Sequence, residues 1–564
     1  MKLLDKHTIP HLLNFTFTKY AQNDGFSFVD GEQNTYEDLQ KDMNKIGNLL
    51  IELGIQQGDK VAILAVNSPE WVATYMAIGA LGAIVVPILP DFSDKEIGHI
   101  LEHSEAKALF VSEKLYTKLR DSFSEKIIKI ENQALVPQGT ASEEIKNLPT
   151  PNLSSQKFPY AEVNEDDLLA IIYTSGTTGS SKGVMLTHKN ILWNVAQGKT
   201  FQPINEKDRF FSILPLSHTY ENTVGMLMAF ASGSATYYLD KLPTPRVLLP
   251  ALAKIKPTIM LSVPLVIEKI YKGKVLKEIN SKVITKLLYK IRPFKKILNK
   301  VAGKKLYESF GGKLHFFGIG GAKLDTTVER FLLDANFPYA IGYGMTETAP
   351  LIAGAVGAIR KVGSAGKIVD DIKLRIAKNK PSDKTGEIQV KGLNVMQGYY
   401  KAPHLTEEVF TKDGWLRTGD LGMLDKKGHL SIKGRIKTMI VGASGENIYP
   451  EEIESVINKI DIVLESLVTE RGGKLVAMVH LNMEELEKQA KRLHKNVLSF
   501  RKDAAQRKED AQKYLQEKAE EKLKEIQTIV NQELNRFSQI QQIILQPNPF
   551  EKTPTQKVKR FLYT

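Results

Sequence analysis

Nine consecutive residues from Thr174 to Lys182 are Ser, Thr, Gly or Lys, and they come just after the apolar run Leu168 to Ile172. Glycines let a backbone turn tightly and approach an anion, hydroxyl and amide groups donate hydrogen bonds, and a lysine adds positive charge. The segment therefore predicts a phosphate-binding loop after a strand, with a nucleotide polyphosphate as its ligand. Its spacing matches neither the Walker loop nor the Gly-x-Gly-x-x-Gly turn. Taken alone, the composition also fits a plain surface linker.

Further segments carry residues suited to nucleotide chemistry. In chain order they are Ile341-Gly-Tyr-Gly-Met-Thr-Glu-Thr348, Leu416-Arg-Thr-Gly-Asp420, Lys433-Gly-Arg-Ile-Lys437, Ser444-Gly-Glu-Asn-Ile-Tyr-Pro-Glu-Glu452 and Thr553-Pro-Thr-Gln-Lys-Val-Lys-Arg560. A carboxylate such as Asp420 accepts two hydroxyl hydrogen bonds at once, as a sugar requires. Each segment alone is a weak signal. Their order over about two-thirds of the chain resembles the adenylate-forming superfamily of acyl-CoA synthetases, luciferases and peptide-synthetase adenylation domains.

This resemblance implies an enzyme that uses ATP and Mg²⁺, with coenzyme A as co-substrate. It places Tyr343 against the adenine and Asp420 on the ribose, and it makes Thr174 and Glu347 the metal ligands. The nucleotide-binding residues that it implies are Thr174, Ser175, Gly176, Thr177, Thr178, Gly179, Lys182, Gly320, Gly321, Ala322, Tyr343, Gly344, Thr346, Asp420 and Arg435. The catalytic residues that it implies are Lys557, Thr346, Glu347 and His218.

The C-terminal motif narrows the resemblance. Most members carry Gly before the catalytic lysine, whereas Gln556 precedes Lys557 here, a form similar to the long-chain acyl-CoA synthetase branch. In the family Lys437 matches the hinge, and His218 matches the motif that gates the acyl pocket, although a lone histidine is more often structural. The resemblance also implies that a loop of Ala443, Ser444, Gly445 and Glu446 faces coenzyme A after the small domain has turned about the hinge.

Short apolar runs alternate with helical stretches along most of the chain. They are Gly58 to Val66, Ala83 to Pro87, Ala108 to Val111, Leu168 to Ile172, Thr258 to Val263 and Leu314 to Ile319. The alternation predicts an α/β fold with buried parallel strands, which bind ligands at their carboxyl ends. The uncharged run Trp71 to Pro90 has the length of a membrane span. Its glycines and β-branched end favour a strand, helix and strand instead.

The length of 564 residues exceeds the limit of roughly 250 to 300 for a single core, which predicts two or more domains. With the resemblance, we expect a large N-terminal α/β domain with parallel sheets at 1–432 and a hinge at 433–438. A small mobile α+β domain with long helices follows at 439–564. No Gly or Pro occurs from Lys474 to Gln546, so a helical insertion near 484–536 is predicted. It could form a protruding hairpin, a partner surface or a brace for a lid.

The net charge of +13 is concentrated in one window. From Lys272 to Lys305, eleven lysines and Arg292 face the single Glu278. The apolar residues Val275, Ile279, Val283, Leu287, Ile291, Phe294 and Leu298 recur at helical spacing. The pattern predicts one basic amphipathic face that suits an anionic membrane, or else a solvated face on a packed helix. We find no nucleic-acid recognition motif, so no nucleic-acid partner is expected.

Cysteine usage and the N-terminus add two expectations. The chain has no cysteine, so any thioester must form on a thiol from a second substrate. The N-terminal ten residues lack the apolar core of a signal peptide, which predicts a cytoplasmic location. The basic window adds the expectation that the protein binds peripherally to the inner face of a membrane.

The expected function is ATP-dependent activation of a medium- or long-chain fatty acid through an acyl-adenylate to acyl-CoA, with release of AMP and pyrophosphate. Three alternatives remain. The first is an acyl-acyl-carrier-protein synthetase, and the second is a ligase for another carboxylic acid. The third is a membrane-associated nucleotide-binding scaffold without turnover.

Overall fold

The structure, a computed structural model, describes residues 5–119, 123, 125–174, 181–241, 243–378, 380–441, 447–487, 504–553 and 558–563. The chain divides into two units. The large unit consists of Met1–Arg375, Gln389–Thr418 and Leu424–Ser431, and the small unit consists of Ile376–Ile388, Gly419–Met423 and Ile432–Thr564. The boundaries expected at 432 and 439, and the mobility of the small domain, stay predictions.

The described strands confirm the predicted alternation. In chain order they are β1 Phe26–Phe28, β2 Lys60–Leu64, β3 Ile84–Pro87, β4 Ala108–Val111, β5 Lys126–Lys129, β6 Leu168–Thr174, β7 Lys182–Thr187, β8 Arg209–Phe211, β9 Ala235–Tyr238, β10 Ile259–Ser262, β11 Phe316–Ile319, β12 Tyr339–Gly344, β13 Leu351–Ala355, β14 Lys367–Ile368, β15 Lys373–Ala377, β16 Gly386–Lys391, β17 Gly398–Tyr399, β18 Leu416–Leu424, β19 Leu430–Arg435, β20 Ile440–Val441, β21 Asn447–Ile448, β22 Val463–Arg471, β23 Lys474–Leu481 and β24 Gln542–Leu545. Each apolar run named above coincides with one of these strands within a few residues.

The α-helices lie between and after the strands. In chain order they are α1 Ile9–Tyr20, α2 Tyr36–Glu52, α3 Pro69–Ala80, α4 Asp94–Ser104, α5 His188–Phe201, α6 Met228–Phe230, α7 Pro245–Ile255, α8 Pro264–Ile270, α9 Lys277–Asn280, α10 Val283–Leu288, α11 Arg292–Ser309, α12 Thr326–Asp334, α13 Pro403–Val409, α14 Pro450–Ile457 and α15 Ala504–Glu533. Side-chain caps begin several of them. Thr35, Ser68, Ser93 and Thr187 accept hydrogen bonds from backbone N–H groups at the starts of α2, α3, α4 and α5. Such a cap stabilises a helix by about 1 kcal/mol.

The first sheet of the large unit has the strand order β17-β7-β6-β3-β2-β4-β5. Strand β2 pairs in parallel with β3 and β4, and α3 connects β2 to β3. The uncharged run Trp71 to Pro90 is therefore a buried helix and strand, as the sequence predicts. Within the described ranges, no helix combines the length and the apolar character that a membrane span needs.

The second sheet has the order β1-β9-β8-β10-β11-β12-β13-β14. Its strands pair in parallel from β1 to β12, and β13 and β14 run antiparallel. The predicted α/β class with parallel sheets is confirmed. Open α/β sheets bind ligands beyond the carboxyl ends of their strands, and the segments after β6, β11 and β12 lie at such ends.

The small unit has its own hydrophobic core. Its sheet has the order β22-β23-β24, and α14 and α15 supply helical partners for it. Ala519, Leu523, Ile526 and Val530 of α15 are buried in this core together with Leu486. The predicted long helix is thus confirmed over Ala504–Glu533, and its C-terminal half closes a core. Strands β15, β16, β18 and β19 form a further sheet, and each of these strands contains a sequence boundary between the two units.

The basic window does not form the single amphipathic face that the sequence predicts. Residues Tyr271–Leu276 are a π-helix, and α9, α10 and α11 follow as separate helices. Val275 and Ile279 are buried in a core of the large unit, whereas Val283, Leu287, Ile291 and Phe294 are exposed and Leu298 is half-buried. The helix is broken before α10 and before α11 because the backbone is extended at Lys282 and at Ile291.

Candidate functional site

The predicted phosphate loop connects two antiparallel strands. Thr174 at the end of β6 is the register partner of Lys182 at the start of β7. The loop residues Ser175, Gly176, Thr177, Thr178 and Gly179 lie outside the described residues. Because Thr174 and Lys182 are register partners, the two strands bring both residues to the same end of the first sheet.

The segment after β12 carries the predicted adenine and metal residues. Tyr343 and Gly344 end the strand, and Thr346 and Glu347 lie in the short 3₁₀ helix Thr346–Thr348. Gly344 is required by space, because a Cβ there would lie 1.9 Å from the carbonyl oxygen of Pro350. The sequence therefore places glycine where the backbone doubles back on itself.

Two buried asparagines hold this segment, and sequence reasoning did not find them. The amide Nδ2 atoms of Asn194 and Asn394 donate to the carbonyl oxygen of Thr348, at 3.0 and 3.1 Å. The side-chain oxygen of Asn194 also accepts from the N–H of Leu351 at 3.1 Å. The loop that carries Glu347 is therefore fixed by side chains from two segments that are far apart in sequence.

The predicted adenine turn follows β11. Ile319 of β11 pairs with Ile341 of β12, so Gly320, Gly321 and Ala322 leave the second sheet beside the segment of Tyr343. Tyr220 packs against this turn, since a Cβ on Gly318 would lie 2.7 Å from its hydroxyl oxygen, and one on Gly320 would lie 3.2 Å from its ring. Tyr220 was missed, although it lies in the same motif as His218.

Another side chain that the sequence did not indicate joins the phosphate hairpin to the acidic segment. The Tyr399 hydroxyl donates to Oε1 of Glu347 at 2.8 Å, and Nζ of Lys182 lies 5.3 Å from the centroid of the Tyr399 ring. Tyr399 is buried on β17, next to β7. Burial, reinforced by the Glu347 carboxylate, raises the pKa of Tyr399 well above its ordinary value, so its hydroxyl remains a donor.

His218 lies in a turn before a π-helix, and its ring supports the local backbone. Its Nδ1 accepts from the N–H of Tyr220 at 3.2 Å, and its own N–H donates to Pro215. The neutral ring consequently carries its proton on Nε2. Its expected role at the acyl pocket stays a prediction.

Glu221 is buried in the π-helix Glu221–Leu227 behind His218. Burial raises its pKa to about 8, partly offset by a hydrogen bond from Ser212. Its Oε2 has no hydrogen-bond partner in the part of the chain that the structure describes. The groups near the carboxyl include the hydroxyls of Tyr220 and Tyr238, whose pKa values it helps to raise. At neutral pH Glu221 is therefore an uncharged, buried acid.

This raised pKa predicts a pH-dependent stability. A carboxyl whose folded pKa is raised contributes stability that is complete below its unfolded pKa of about 4.3 and is lost as pH rises through about 8. The thermal midpoint of the wild type should therefore fall between pH 5 and 9 by more than that of Glu221→Gln, which stays neutral. If the thermal midpoints of the two proteins changed by the same amount with pH, the assignment would be contradicted. The control is Glu52→Gln at an exposed position, whose thermal midpoint should change with pH as that of the wild type does.

In the small unit, the structure brings together the two predicted ribose residues. Asp420 is buried on β18, and its Oδ1 lies 3.2 Å from Nε of Arg435 at the end of β19. A carboxylate oriented by a guanidinium suits a sugar diol. Lys437 is exposed in the 3₁₀ helix Ile436–Thr438, and its role as hinge stays a prediction.

Two predicted segments of the small unit lie outside the described residues, but their flanks are described. The loop Ala443, Ser444, Gly445 and Glu446 is bracketed by the antiparallel partners Val441 and Asn447. Lys557 is bracketed by the bridge partners Lys552 and Val558. Beyond it, Nη2 of Arg560 donates to Glu454 at 2.6 Å, an anchor for the C-terminal motif that sequence reasoning missed.

The donor set can be tested against Mg²⁺. Glu347 and Thr174 offer a carboxylate and a hydroxyl oxygen, which suit Mg²⁺ better than soft ligands would. The described ranges contain no group of three or more His, Asp or Glu side chains that could hold a metal ion. Mg²⁺ sites of nucleotide enzymes commonly use one or two carboxylates and complete their shell with phosphates and water. The residues present fit such a site.

Comparison with known proteins gives one family match and many similar chains. The family described as "AMP-binding enzyme" matches residues 17–400. Long chain acyl-CoA synthetase 7, peroxisomal, of Arabidopsis thaliana is 29% identical over 80% of this chain and 69% of its own. Long-chain-fatty-acid–CoA ligase FadD15 of Mycobacterium bovis is 29% identical over 78% of this chain and 75% of its own.

A third relative differs in its named acceptor. The long-chain-fatty-acid–acyl-carrier-protein ligase AEE15, chloroplastic, of Arabidopsis thaliana is 27% identical over 93% of this chain and 80% of its own. Among solved structures, ATP-bound MatB from Rhodopseudomonas palustris superposes with a TM-score of 0.73 at 22% identity, covering 98% of both chains. At that identity the likeness concerns the fold.

Proposed function

This chain belongs to the AMP-binding enzyme family, and from that membership we propose that it is an ATP-dependent ligase that activates a medium- or long-chain fatty acid and transfers it to coenzyme A. The observation that carries the proposal is the contact of one side chain, Tyr399, with both Lys182 and Glu347. It joins a phosphate hairpin to a carboxylate in one unit, as a polyphosphate with a metal ion requires. Two relatives are named for fatty-acid–CoA ligation.

In the proposed first half-reaction, a carboxylate oxygen of the fatty acid attacks the α-phosphorus of ATP. The bond from that phosphorus to the bridging oxygen breaks, and pyrophosphate leaves with that oxygen. Lys182 and the loop before it would hold the polyphosphate, and Lys557 would neutralise the oxygens that converge on phosphorus. Thr174 and Glu347 would bind Mg²⁺, which supplies positive charge to the phosphate oxygens when bound.

In the second half-reaction, the sulfur of coenzyme A attacks the acyl carbonyl carbon. The bond from that carbon to the phosphate oxygen breaks, AMP leaves, and the thiol proton passes to solvent. We propose that the small domain turns about Lys437 between the two steps, so that Lys557 withdraws and the loop from Ala443 to Glu446 faces the thiol. Asp420 and Arg435 would keep the ribose in place during both steps.

A carrier protein is the second candidate acceptor, because one relative is named for ligation to acyl-carrier protein. Both acceptors end in a phosphopantetheine thiol, so the chemistry of the second step is the same. The test is a panel of fatty acids from C8 to C18 with ATP and either coenzyme A or carrier protein, scored by AMP release. Absence of fatty-acid-dependent AMP release with both acceptors would refute the proposed function.

We also propose that the enzyme binds anionic membranes through the basic window. The exposed apolar residues Val283, Ile284, Leu287, Ile291, Phe294, Ile297 and Val301 are between 44% and 75% exposed. Phe294, Ile297 and Val301 share one face of α11 through their spacing of three and four residues. Exposed apolar side chains grouped on one helical face are typical of an interaction site.

The charge around this surface supports an anionic membrane as its partner. Exposed lysines border both α10 and α11, and the one acid of the window, Glu278, is paired with Lys305. An anionic bilayer accepts the apolar side chains and attracts each nearby lysine by about 1 kcal/mol. Buried Val275 and Ile279 pack the segment against the core of the large unit, and the face that remains exposed would contact the membrane. The cytoplasmic location stays a prediction.

Charge removal should weaken this binding. Changing exposed Lys282, Lys286, Lys290 and Lys296 to Gln should reduce affinity for anionic vesicles by several kcal/mol, at about 1 kcal/mol per charge. Raising salt from 0.1 to 0.5 M should produce part of the same loss in the wild type, because the Debye length of about 10 Å shortens. Vesicle co-sedimentation measures both effects.

The matched control changes four exposed lysines elsewhere, Lys373, Lys412, Lys426 and Lys427, to Gln. This variant should sediment like the wild type, and turnover of a short, soluble fatty acid should be unchanged in both. Sedimentation that is indifferent to the window's charges and to salt would mean a solvated face. Concentration-dependent dimerisation through the same face would identify a second copy as its partner.

A further inference from the structure

Tyr399 is the described side chain that touches both halves of the proposed phosphate and metal site. Its hydroxyl lies 2.8 Å from Oε1 of Glu347, and its ring centroid lies 5.3 Å from Nζ of Lys182. These partners are far apart in sequence, and they belong to different sheets, since Lys182 begins β7 of the first sheet and Glu347 follows β12 of the second. Contact through one buried ring therefore couples the position of the carboxylate to that of the lysine.

Backbone hydrogen bonds fix the main chain that carries this ring. Tyr399 pairs with Val184 of β7, and the N–H groups of Gln397 and Tyr400 donate to carbonyl oxygens of Met185 and Gly183. The N–H of Tyr399 itself donates to Oγ1 of Thr406 at 2.9 Å. Because the main chain of Gln397, Tyr399 and Tyr400 is hydrogen-bonded in this way, the Cα from which the ring projects is fixed, and the ring offers its partners a fixed point of contact.

The Glu347 loop is joined to the same stretch through its backbone. The N–H of Met396 donates to the carbonyl oxygen of Glu347 at 3.0 Å, three residues before Tyr399. Asn394, in the same stretch, donates to Thr348. One short segment thus holds the acidic loop by its main chain and by its carboxylate.

We propose that Tyr399 is a positioning residue that sets the Glu347 carboxylate for the metal ion and the Lys182 ammonium for the polyphosphate. This inference rests on the proposed function. The phenol donates to one carboxylate oxygen and leaves the other for a metal, as outer-shell partners of metal ligands do. The face of its ring attracts the ammonium, which limits the positions of a long, flexible side chain.

Two substitutions separate the roles of hydroxyl and ring. Tyr399→Phe keeps the ring beside Lys182 and removes the donor to Glu347, whereas Tyr399→Leu removes both. The readout is ATP-induced thermal stabilisation measured against Mg²⁺ concentration, with calorimetric titration of ATP in the presence of a chelator. Neither measurement requires turnover.

For Tyr399→Phe we expect the half-saturating Mg²⁺ concentration to rise about tenfold, with ATP affinity in chelator unchanged. For Tyr399→Leu we expect the same rise and, in addition, weaker ATP binding in chelator. The neighbouring Tyr400→Phe is the matched control, because its hydroxyl lies 3.3 Å from Glu105, outside this site. It should titrate like the wild type.

A Mg²⁺ dependence that is the same in both Tyr399 variants and the wild type, with all of them folded by circular dichroism, would overturn the positioning role. A structural role alone would lower the melting temperature without ligand and leave both titrations unmoved. Failure of the proposed function is distinguishable, since the wild type itself would then show no AMP release with any fatty acid.

Discussion

Lys557→Ala is expected to lower the rate of acyl-adenylate formation by about 10²- to 10³-fold, the loss typical of removing one preorganised group from a charged transition state. The lysine's charge is needed only while negative oxygens converge on phosphorus. Thioester formation from supplied acyl-adenylate should therefore remain close to the wild-type rate. Pyrophosphate release measures the first step, and acyl-CoA formation from synthetic acyl-adenylate measures the second.

Lys559→Ala is the control for this prediction, because it removes a charge two residues away in the same motif. It should retain both half-reactions. Arg560 and Glu454 anchor the segment beyond Lys557, so the fold of the small unit should not depend on the lysine itself. Equal losses in the two half-reactions of Lys557→Ala would remove the residue from the adenylation step.

Lys437→Pro is expected to slow one half-reaction by roughly 10²-fold more than the other. Proline holds φ near −65° and restrains Ile436 before it, so the backbone can no longer adopt two conformations at the hinge. A displacement of about 1 Å at the reacting atoms already costs about 10²-fold in rate. Single-turnover measurement of each half-reaction identifies which orientation is retained.

Lys437→Ala separates the backbone effect from the charge, since it leaves φ unrestricted. Lys437 is exposed, so its side chain is not needed for packing. The alanine variant should keep both rates within a few-fold of the wild type. If the proline variant also kept both rates, Lys437 would not be the pivot.

Most of the fold could be predicted because the patterns that specify it are local. The runs at 108–111 and 168–172 are strands because an apolar segment between turns can be covered on both faces only within a sheet. The run from Trp71 to Pro90 is a helix and a strand because Gly82, at a φ of +68°, ends the helix. Such decisions depend on neighbours in sequence.

The basic window shows where local patterns are insufficient. Its apolar residues share a spacing, but Val275 and Ile279 pack against the large unit while Val283 and Leu287 remain exposed. Periodicity reports which residues share a face of a helix. It does not report where the helix breaks, or which of its turns meets another element.

The candidate site divides in the same way. The sequence by itself predicted the phosphate loop from its glycines, hydroxyls and lysine, and the resemblance of its motifs to a known family added predicted residues for adenine, ribose and metal. Only the tertiary structure decided that Tyr399 donates to Glu347, 52 residues away, and lies beside Lys182. Asn194 and Asn394 were hidden for the same reason. A side chain whose task is to hold another side chain carries no pattern of its own, since its partners are neighbours only after two sheets have folded.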